Sequence, residues 1–225
     1  MISWLQCERI NFKITEGERD NMKIIRPSSL YEYADWYLRR DAQKGDSRSI
    51  PDDPDEQVRI MYERHEGKMR DWFTSTASWH IVGLDAVGEL SNLIFLESKW
   101  TKEEKLVVPN GVNYRLLGRV TENAINVGYL ARPSAHRHKV YYESLAEGSL
   151  QLEGENRIAI CSMEECEGRR NPAAQYYLLD GVGRSLPYLI LMHEGKHEYR
   201  PVEAFLAERC ANSAINGRLR VDSSG

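Results

Sequence analysis

Residues 175–208 read QYYLLDGVGRSLPYLILMHEGKHEYRPVEAFLAE, and this stretch decides the fold. Its first residues, Tyr176 to Leu179, form a short aromatic and apolar run that predicts a strand. The turn from Asp180 to Arg184 contains two glycines and ends that strand. Pro201 to Ala207 then alternates apolar with other side chains, which predicts a second strand.

A helix is predicted between the two strands. Ser185 can cap its free backbone amides, and Pro187 is tolerated because it falls in the first helical turn. Three apolar residues are spaced to cover one face of this helix: Leu186, Leu189 and Ile190. Gly195 is expected to end the helix.

A strand, a glycine turn and a helix N-terminus together predict an anion-binding site. Free amides and the positive end of the helix dipole converge where glycine lets a ligand approach. Gly181, Gly183 and Ser185 would present these amides, and Arg184 would add a charged fork for phosphate or carboxylate. An ordinary Asp-Gly turn with a purely structural role is the alternative interpretation.

The order YYLLDGVGR, helix, PVEAF resembles the ParB/sulfiredoxin-like superfamily, whose members hold nucleotide phosphates in a turn at this place. Asp180, Gly181 and Arg184 fall on matching positions of that turn. Val182 stands where the sulfiredoxin thiol would be, so sulfiredoxin chemistry is not expected. Gly183 stands where the family usually carries a histidine that contacts phosphate.

The resemblance implies an α+β fold, in which a small mixed sheet is flanked by helices. It also implies a nucleotide-dependent phosphotransferase that acts on the hydroxyl of a small metabolite such as a free amino acid, with ATP or ADP and magnesium as cofactors. In the free-serine kinases of this group a glutamate acts as base on the substrate hydroxyl, and Glu97 occupies a comparable place. Asp180 would orient the turn or the magnesium ion.

Two other functions remain open at this stage. One is a non-catalytic regulatory module that binds a nucleotide, related to the CTP switch of partition proteins. The other is a zinc-dependent hydrolase, because His193-Glu-Gly-Lys-His197 satisfies the H-E-x-x-H pattern. That pattern requires unbroken helix through both histidines, whereas Gly195 lies between them.

The most basic segment of the chain is residues 131–139, ARPSAHRHK, which is predicted to be a loop. Arg132, Arg137 and His138 are candidates for contacts with nucleotide phosphates or with an acidic substrate. A solvated basic loop is the alternative.

Two regions are predicted, with the boundary at residue 78. Residues 1–78 are expected to form a mainly helical extension, in which the aromatic face of a helix after Pro27 packs internally. Residues 79–225 are expected to form the ParB/sulfiredoxin-like nucleotide-binding domain, beginning with a strand at Trp79 and a helix over residues 86–99.

Composition limits the classes of function. The 225 residues carry a net charge of −4, which argues against a protein that coats nucleic acid. The N-terminus does not read as a signal peptide and no apolar run reaches the length of a membrane span, so we expect a cytoplasmic protein without membrane contact. The four cysteines lack paired spacing and are expected to be reduced thiols. A small-molecule substrate is the expected partner, and a homodimer is left open.

Overall fold

The structure is a computed structural model, and it describes residues 22–43, 49–64, 77–95, 99–109, 115–162 and 176–209. Short strands and helices alternate within these ranges, so the predicted mixed character of the fold is confirmed. The specific ParB/sulfiredoxin-like arrangement stays a prediction.

Six strands and seven α-helices occur within the described ranges. The strands are β1 (Lys23–Ser28), β2 (Ala77–Leu84), β3 (Ile94–Phe95), β4 (Ile158–Ser162), β5 (Tyr176–Asp180) and β6 (Val202–Arg209). The helices are α1 (Leu30–Gln43), α2 (Pro54–Arg64), α3 (Val87–Ser91), α4 (Lys99–Glu103), α5 (Leu117–Asn126), α6 (His136–Ala146) and α7 (Val182–His193). Short 3-10 turns occur at Tyr129–Ala131, Pro133–Ala135 and Gly154–Asn156.

β5 is paired on both sides in the six-stranded sheet, whose order is β1-β2-β6-β4-β5-β3. It runs antiparallel to β4, with Ile160 opposite Leu178, and parallel to β3, with Ile94 opposite Tyr177. The sheet is therefore mixed. Because both edges of β5 are hydrogen-bonded, the chain leaves its C-terminal end from a fixed position.

The predicted helix over residues 86–99 is wrong. α3 ends at Ser91 with Asn92 as its C-cap, and Ile94–Phe95 form β3. The Phe95 amide donates to the Arg115 carbonyl at 2.8 Å, and β5 pairs with the other side of β3. A β-branched and an aromatic residue suit this pleated, buried position better than a helix. Glu97, which the prediction placed on that helix, lies outside the described residues.

The chain divides into two compact units. One contains Gly83–Ala204, and the other contains Ile24–Val82 and the residues from Phe205 onward. The predicted boundary after residue 78 stays a prediction, because residues 65–76 are not among those described.

The second of these units has an aromatic core. The ring of Tyr33 stacks on Trp79 with 5.0 Å between the centroids, and it meets the edge of Phe205 at 5.4 Å. Tyr33, Trp36 and Tyr37 are buried. The aromatic face of α1 is thus a packing face, as the sequence predicts.

The first unit has a core that joins α7 to α5 and to the 3-10 turns. Its buried members are Phe95, Leu106, Val107, Val120, Ala124, Tyr129, Ala135, Leu186 and Ile190. Leu186 and Ile190 belong to the face of α7 that the sequence predicts to be apolar. The same core therefore fixes α7 and the segment that leads into α6.

No helix within the described ranges is long and apolar enough to cross a lipid bilayer.

Candidate anion-binding site

α7 begins at Val182, three residues earlier than the predicted cap at Ser185. Gly181 is the N-cap, with φ 111° and ψ 4°, a left-handed conformation that glycine adopts without strain. Its carbonyl accepts the amides of Arg184 at 2.9 Å and Ser185 at 2.8 Å. The prediction of Ser185 as cap is wrong because Gly181 closes the first turn before Ser185 is reached.

Gly181 also sits against the sheet. A Cβ at this position would lie 2.5 Å from Ile158 Cγ2, far closer than side-chain atoms approach one another. Ile158 is the first residue of β4 and is fully buried. The absence of a side chain at residue 181 is therefore what lets the start of α7 pack onto β4.

Asp180 holds the turn in place. Its Oδ1 atom accepts the Gly181 amide at 2.7 Å, and its Oδ2 atom lies 3.9 Å from Arg184 Nη2. Both oxygens thus face groups of the turn itself. This geometry agrees with a role for Asp180 in orienting the turn, and its alternative role in holding magnesium stays a prediction.

Arg184 lies beneath the turn. Its side chain is 3% exposed, and Nη2 donates to the Arg157 carbonyl at 2.8 Å. The predicted charged fork therefore donates to the protein backbone. Its positive charge remains close to the N-terminus of α7, where burial keeps it weakly screened.

Arg157 extends this network to β6. Its Nη2 atom donates to Glu203 Oε2 at 2.9 Å, and the same carboxylate oxygen accepts the Gly154 amide at 3.0 Å. The residue whose carbonyl receives Arg184 is thus itself fixed by an ion pair between the segment just before β4 and β6.

Ser185 is fully buried, and its Oγ atom has no hydrogen-bond partner among the described residues. Side chains on a helix lean toward its N-terminus, so this hydroxyl lies on the side of the first turn. An unsatisfied buried hydroxyl costs free energy. The structure therefore carries one buried hydroxyl without a partner among the described residues near the start of α7.

The amides that remain for a ligand are those at the start of α7. Helical geometry gives the amides of Val182 and Gly183 no intrahelical acceptor, because the first internal bonds begin at Arg184. The Gly181 amide is already bonded to Asp180. The two amides, the helix dipole and the nearby guanidinium of Arg184 favour an anion, and the carboxylate of Asp180, 3.9 Å from that guanidinium, offsets part of the positive charge.

The predicted basic loop over residues 131–139 is wrong, since the structure has 3-10 turns there and α6 begins at His136. The helix turns His138 inward, and the side chain is 9% exposed. Its Nδ1 atom forms a 2.7 Å hydrogen bond with the Tyr129 hydroxyl. A Cβ at Gly183 would lie 3.7 Å from Nε2 of His138, so this predicted residue is brought to the start of α7.

The imidazole of His138 is neutral at physiological pH. Burial lowers the pKa of His138 to about 4, and the positive charge of Arg137 contributes to the same shift. Burial likewise raises the pKa of Tyr129 to about 12, so its hydroxyl keeps its proton. The Tyr129–His138 pair is thus an uncharged hydrogen-bonding unit against Gly183.

The other two basic candidates, Arg132 and Arg137, are not brought to the start of α7 by any contact among the described residues. Arg132 Nη1 donates to Glu104 Oε2 at 2.7 Å, and Nη2 donates to the Val127 carbonyl at 3.1 Å. Arg132 therefore joins α4 to the end of α5. Arg137 is exposed on α6, where it is accessible to a ligand but bound in no defined geometry.

The H-E-x-x-H segment does not have the geometry that zinc requires. α7 ends at His193, and Gly195 has φ 64°, so His193 and His197 do not share a helical turn.

Glu194, the glutamate of that pattern, is bonded to neighbouring side chains. Its Oε2 atom accepts the Tyr142 hydroxyl at 2.5 Å and pairs with Lys196 Nζ at 2.8 Å. Burial opposes ionisation of Glu194, but these hydrogen bonds outweigh it and the pKa of the carboxyl is lowered.

No group of three or more His, Cys, Asp or Glu side chains suited to a metal ion occurs among residues that the structure describes. Glu97, the predicted base, is not among them.

Sequence reasoning missed Tyr129, which fixes the His138 ring. Tyr129 follows a glycine at the end of α5 and resembles any buried aromatic residue in sequence. Only the packing of the 3-10 turn against α6 reveals its role, so no sequence pattern identifies it.

Comparisons with protein-family models, with curated proteins and with solved structures gave no match to this chain.

Substituting Gly181 by alanine is expected to destabilise the protein by about 2 kcal/mol or more, because it adds left-handed strain and a clash with Ile158. Gly148→Ala is the matched control, since Gly148 has φ 73° but no atom within 4 Å of an added Cβ. Urea unfolding of both variants measures the difference. Equal losses of stability would contradict the close contact with Ile158.

Acidification is expected to destabilise the protein through His138. The pKa is about 4 in the folded protein and near 6.5 when the residue is exposed, so the unfolded chain binds the proton first. The free energy by which neutral His138 favours the folded state is fully present above pH 6.5. It is lost as the pH falls toward 4, and the loss is on the order of 2 kcal/mol at pH 5. Urea unfolding at pH 7 and pH 5 measures it. His138→Gln should lose correspondingly less stability between the two pH values, and an unchanged difference would contradict the shift.

Proposed function

We propose that the chain binds a nucleotide through its phosphates at the N-terminus of α7 and transfers a phosphoryl group from it to the hydroxyl of a small metabolite. The observation that carries the proposal is the start of α7, where the amides of Val182 and Gly183 have no acceptor within the helix and the buried guanidinium of Arg184 lies close to Gly181. A helix end of this kind is a ready site for phosphate.

Several features support phosphate as the ligand. The site offers backbone amides and a buried guanidinium, which suit an anion with several acceptor oxygens. The amides of Val182 and Gly183 are donors without an acceptor inside α7. The unpartnered hydroxyl of Ser185 adds a further polar group within the first turns.

Phosphoryl transfer from such a site requires little covalent chemistry from the protein. The donor phosphates must be positioned and their charge neutralised, and the acceptor hydroxyl must lose its proton. Magnesium would arrive with ATP or ADP and neutralise phosphate charge. The turn residues Asp180, Gly181 and Arg184 would set the position of the helix end, and Glu97 would take the proton of the acceptor.

A variant that separates binding from folding is Gly183→Asp. An aspartate in the first turn is compatible with the helix dipole, its Cβ would make ordinary contacts with Tyr141 and His138, and its carboxylate repels phosphate. Thermal unfolding is measured with magnesium and ATP, ADP or CTP, or without nucleotide. A nucleotide at a hundred times its Kd should stabilise the wild type by about 2.7 kcal/mol, and Gly183→Asp should lose this gain.

Gly88→Asp is the matched control, because Gly88 is also the second residue of its helix, α3, and an added Cβ there has no neighbour within 4 Å. It should keep the nucleotide-induced gain. Arg132→Ala should lower stability and also keep that gain, since Arg132 is bound to Glu104. No stabilisation of the wild type by any of the three nucleotides would overturn the proposal.

Glu97→Gln tests the transfer step. We expect it to bind nucleotide as the wild type does and to slow phosphoryl transfer by about 10²–10⁴-fold, because a general base contributes on that scale. Transfer is measured by mass spectrometry of phosphorylated products with a panel of free hydroxyl-containing amino acids. Equal transfer by the variant and the wild type would remove Glu97 from the mechanism.

A second function, a non-catalytic nucleotide-binding module, is favoured by one observation. The carboxylate of the turn, Asp180, is occupied with the Gly181 amide and faces Arg184, as a structural group would be. Nucleotide binding that depends on Gly183, without transfer to any acceptor tested, would identify this module instead of the phosphotransferase.

A further inference from the structure

The outward face of α6 carries a row of exposed side chains, which we call the α6 stripe. Its members follow one another at helical intervals and are all exposed: His136, Val140, Glu143 and Glu147. Val140, at the centre of the stripe, is a large apolar side chain that is 47% exposed. The buried residues of α6, His138 and Leu145, lie on the other side of the helix. The stripe is therefore the face that α6 turns away from its own core.

The charges of α6 are arranged against its own dipole. Arg137 and Lys139 lie at the start of the helix, where no acidic residue occurs, and Glu143 and Glu147 lie at its end, where no basic residue occurs. Cations at a helix N-terminus and anions at its C-terminus are both unfavourable for an isolated helix. The same arrangement is favourable beside a helix that runs in the opposite direction.

These charges are only weakly bound within the chain. Lys139 Nζ lies 3.9 Å from Glu143 Oε1, and both side chains are more than half exposed. Arg137 and Glu147 form no hydrogen bond or ion pair with other residues in the described ranges. The charged groups of α6 are thus available to another molecule.

A second copy of α6 has the charge pattern that matches the first. Arg137 lies three residues before Val140 and Glu143 lies three residues after it, so each is about 4.5 Å from Val140 along the helix axis. If two copies are antiparallel and cross at Val140, Arg137 of one protomer lies at the level of Glu143 of its partner. A two-fold axis makes this pairing occur twice. The positive end of each helix then also lies beside the negative end of the other.

We propose that the chain forms a homodimer through the α6 stripe, in which the two helices are antiparallel, Val140 packs on Val140 at the two-fold axis, and Arg137 of each protomer pairs with Glu143 of the other. A contact between two single helices is small, so the dimer has a Kd in the micromolar range, about a thousandfold weaker than a nanomolar complex. The inference does not depend on the proposed function, because it involves no nucleotide.

Sedimentation equilibrium of the full chain, without nucleotide, measures the dimer Kd. Arg137→Glu and Glu143→Arg should each raise Kd about tenfold or more, because each turns two symmetric attractions into repulsions. A mixture of the two single variants, one of them fluorescently labelled, should form a heterodimer that is tighter than either variant homodimer. Opposite charges face each other at both symmetric positions only in that mixture. A heterodimer no tighter than the variant homodimers would overturn the antiparallel pairing.

Val140→Asp tests the centre of the contact. It places two carboxylates against each other at the axis and should leave the protein monomeric at concentrations where the wild type is dimeric. Raising the salt concentration from about 0.05 M to about 0.5 M should also weaken the wild-type dimer, because exposed charges are screened.

Arg119→Glu is the matched control, because Arg119 is an exposed arginine on α5 and its replacement makes the same change in net charge as Arg137→Glu. It should leave the dimer Kd within about twofold of the wild-type value. Circular dichroism establishes that each variant is folded. A monomeric wild type would overturn the proposal, and so would a dimer whose Kd is unchanged by both Val140→Asp and Arg137→Glu.

Discussion

The close approach of the Gly181 backbone to Ile158 is the constraint on which the candidate site depends. Residue 181 is a glycine and has no Cβ that would clash with Ile158. The chain can therefore turn from β5 into α7 directly over β4. Asp180 and Arg184 then bind groups on either side of that turn. The first amides of α7 take no part in these bonds, so the same geometry that closes the fold leaves donors at the positive end of the helix.

The polar groups that would favour the proposed anion at this helix end also make folding less favourable. Burying the Arg184 guanidinium and the Ser185 hydroxyl opposes folding, and the carbonyl of Arg157 and the carboxylate of Asp180 offset part of that cost. Groups that are incompletely solvated in the folded state are also those that an anion can stabilise. The electrostatic environment of the helix end is therefore set by the fold itself, and the proposed phosphate site would be formed before a ligand binds.

Local patterns in the sequence predict the centre of the fold. The aromatic run before Asp180, the apolar spacing of Leu186, Leu189 and Ile190, and the glycine at residue 195 correctly give β5, α7 and the end of α7. Each depends on interactions within a few residues. The start of α7 was misplaced because a serine and a glycine can both cap a helix, and the choice of Gly181 depends on distant Ile158.

Features that depend on long-range packing could not be read from the sequence. Ile94 and Phe95 fit a helix or a strand equally well, and only pairing with β5 decides between them. Buried Arg184 donates to the carbonyl of Arg157, which is 27 residues away in the chain. Arg132 pairs with Glu104, which is 28 residues away. His138 was recognised as a candidate, but its position beside Gly183 arises from the packing of α6 on α7.

The parallel pairing of β3 with β5 has a consequence for how the protein is made. Ile94 pairs with Tyr177, more than eighty residues later in the chain, and such non-local parallel contacts form slowly because a long loop must close first. During synthesis the β3 segment leaves the ribosome well before its partner exists. The helix end that follows β5 is therefore among the last parts of this unit to acquire its native surroundings, and a nascent chain lacks the site until translation has passed α7.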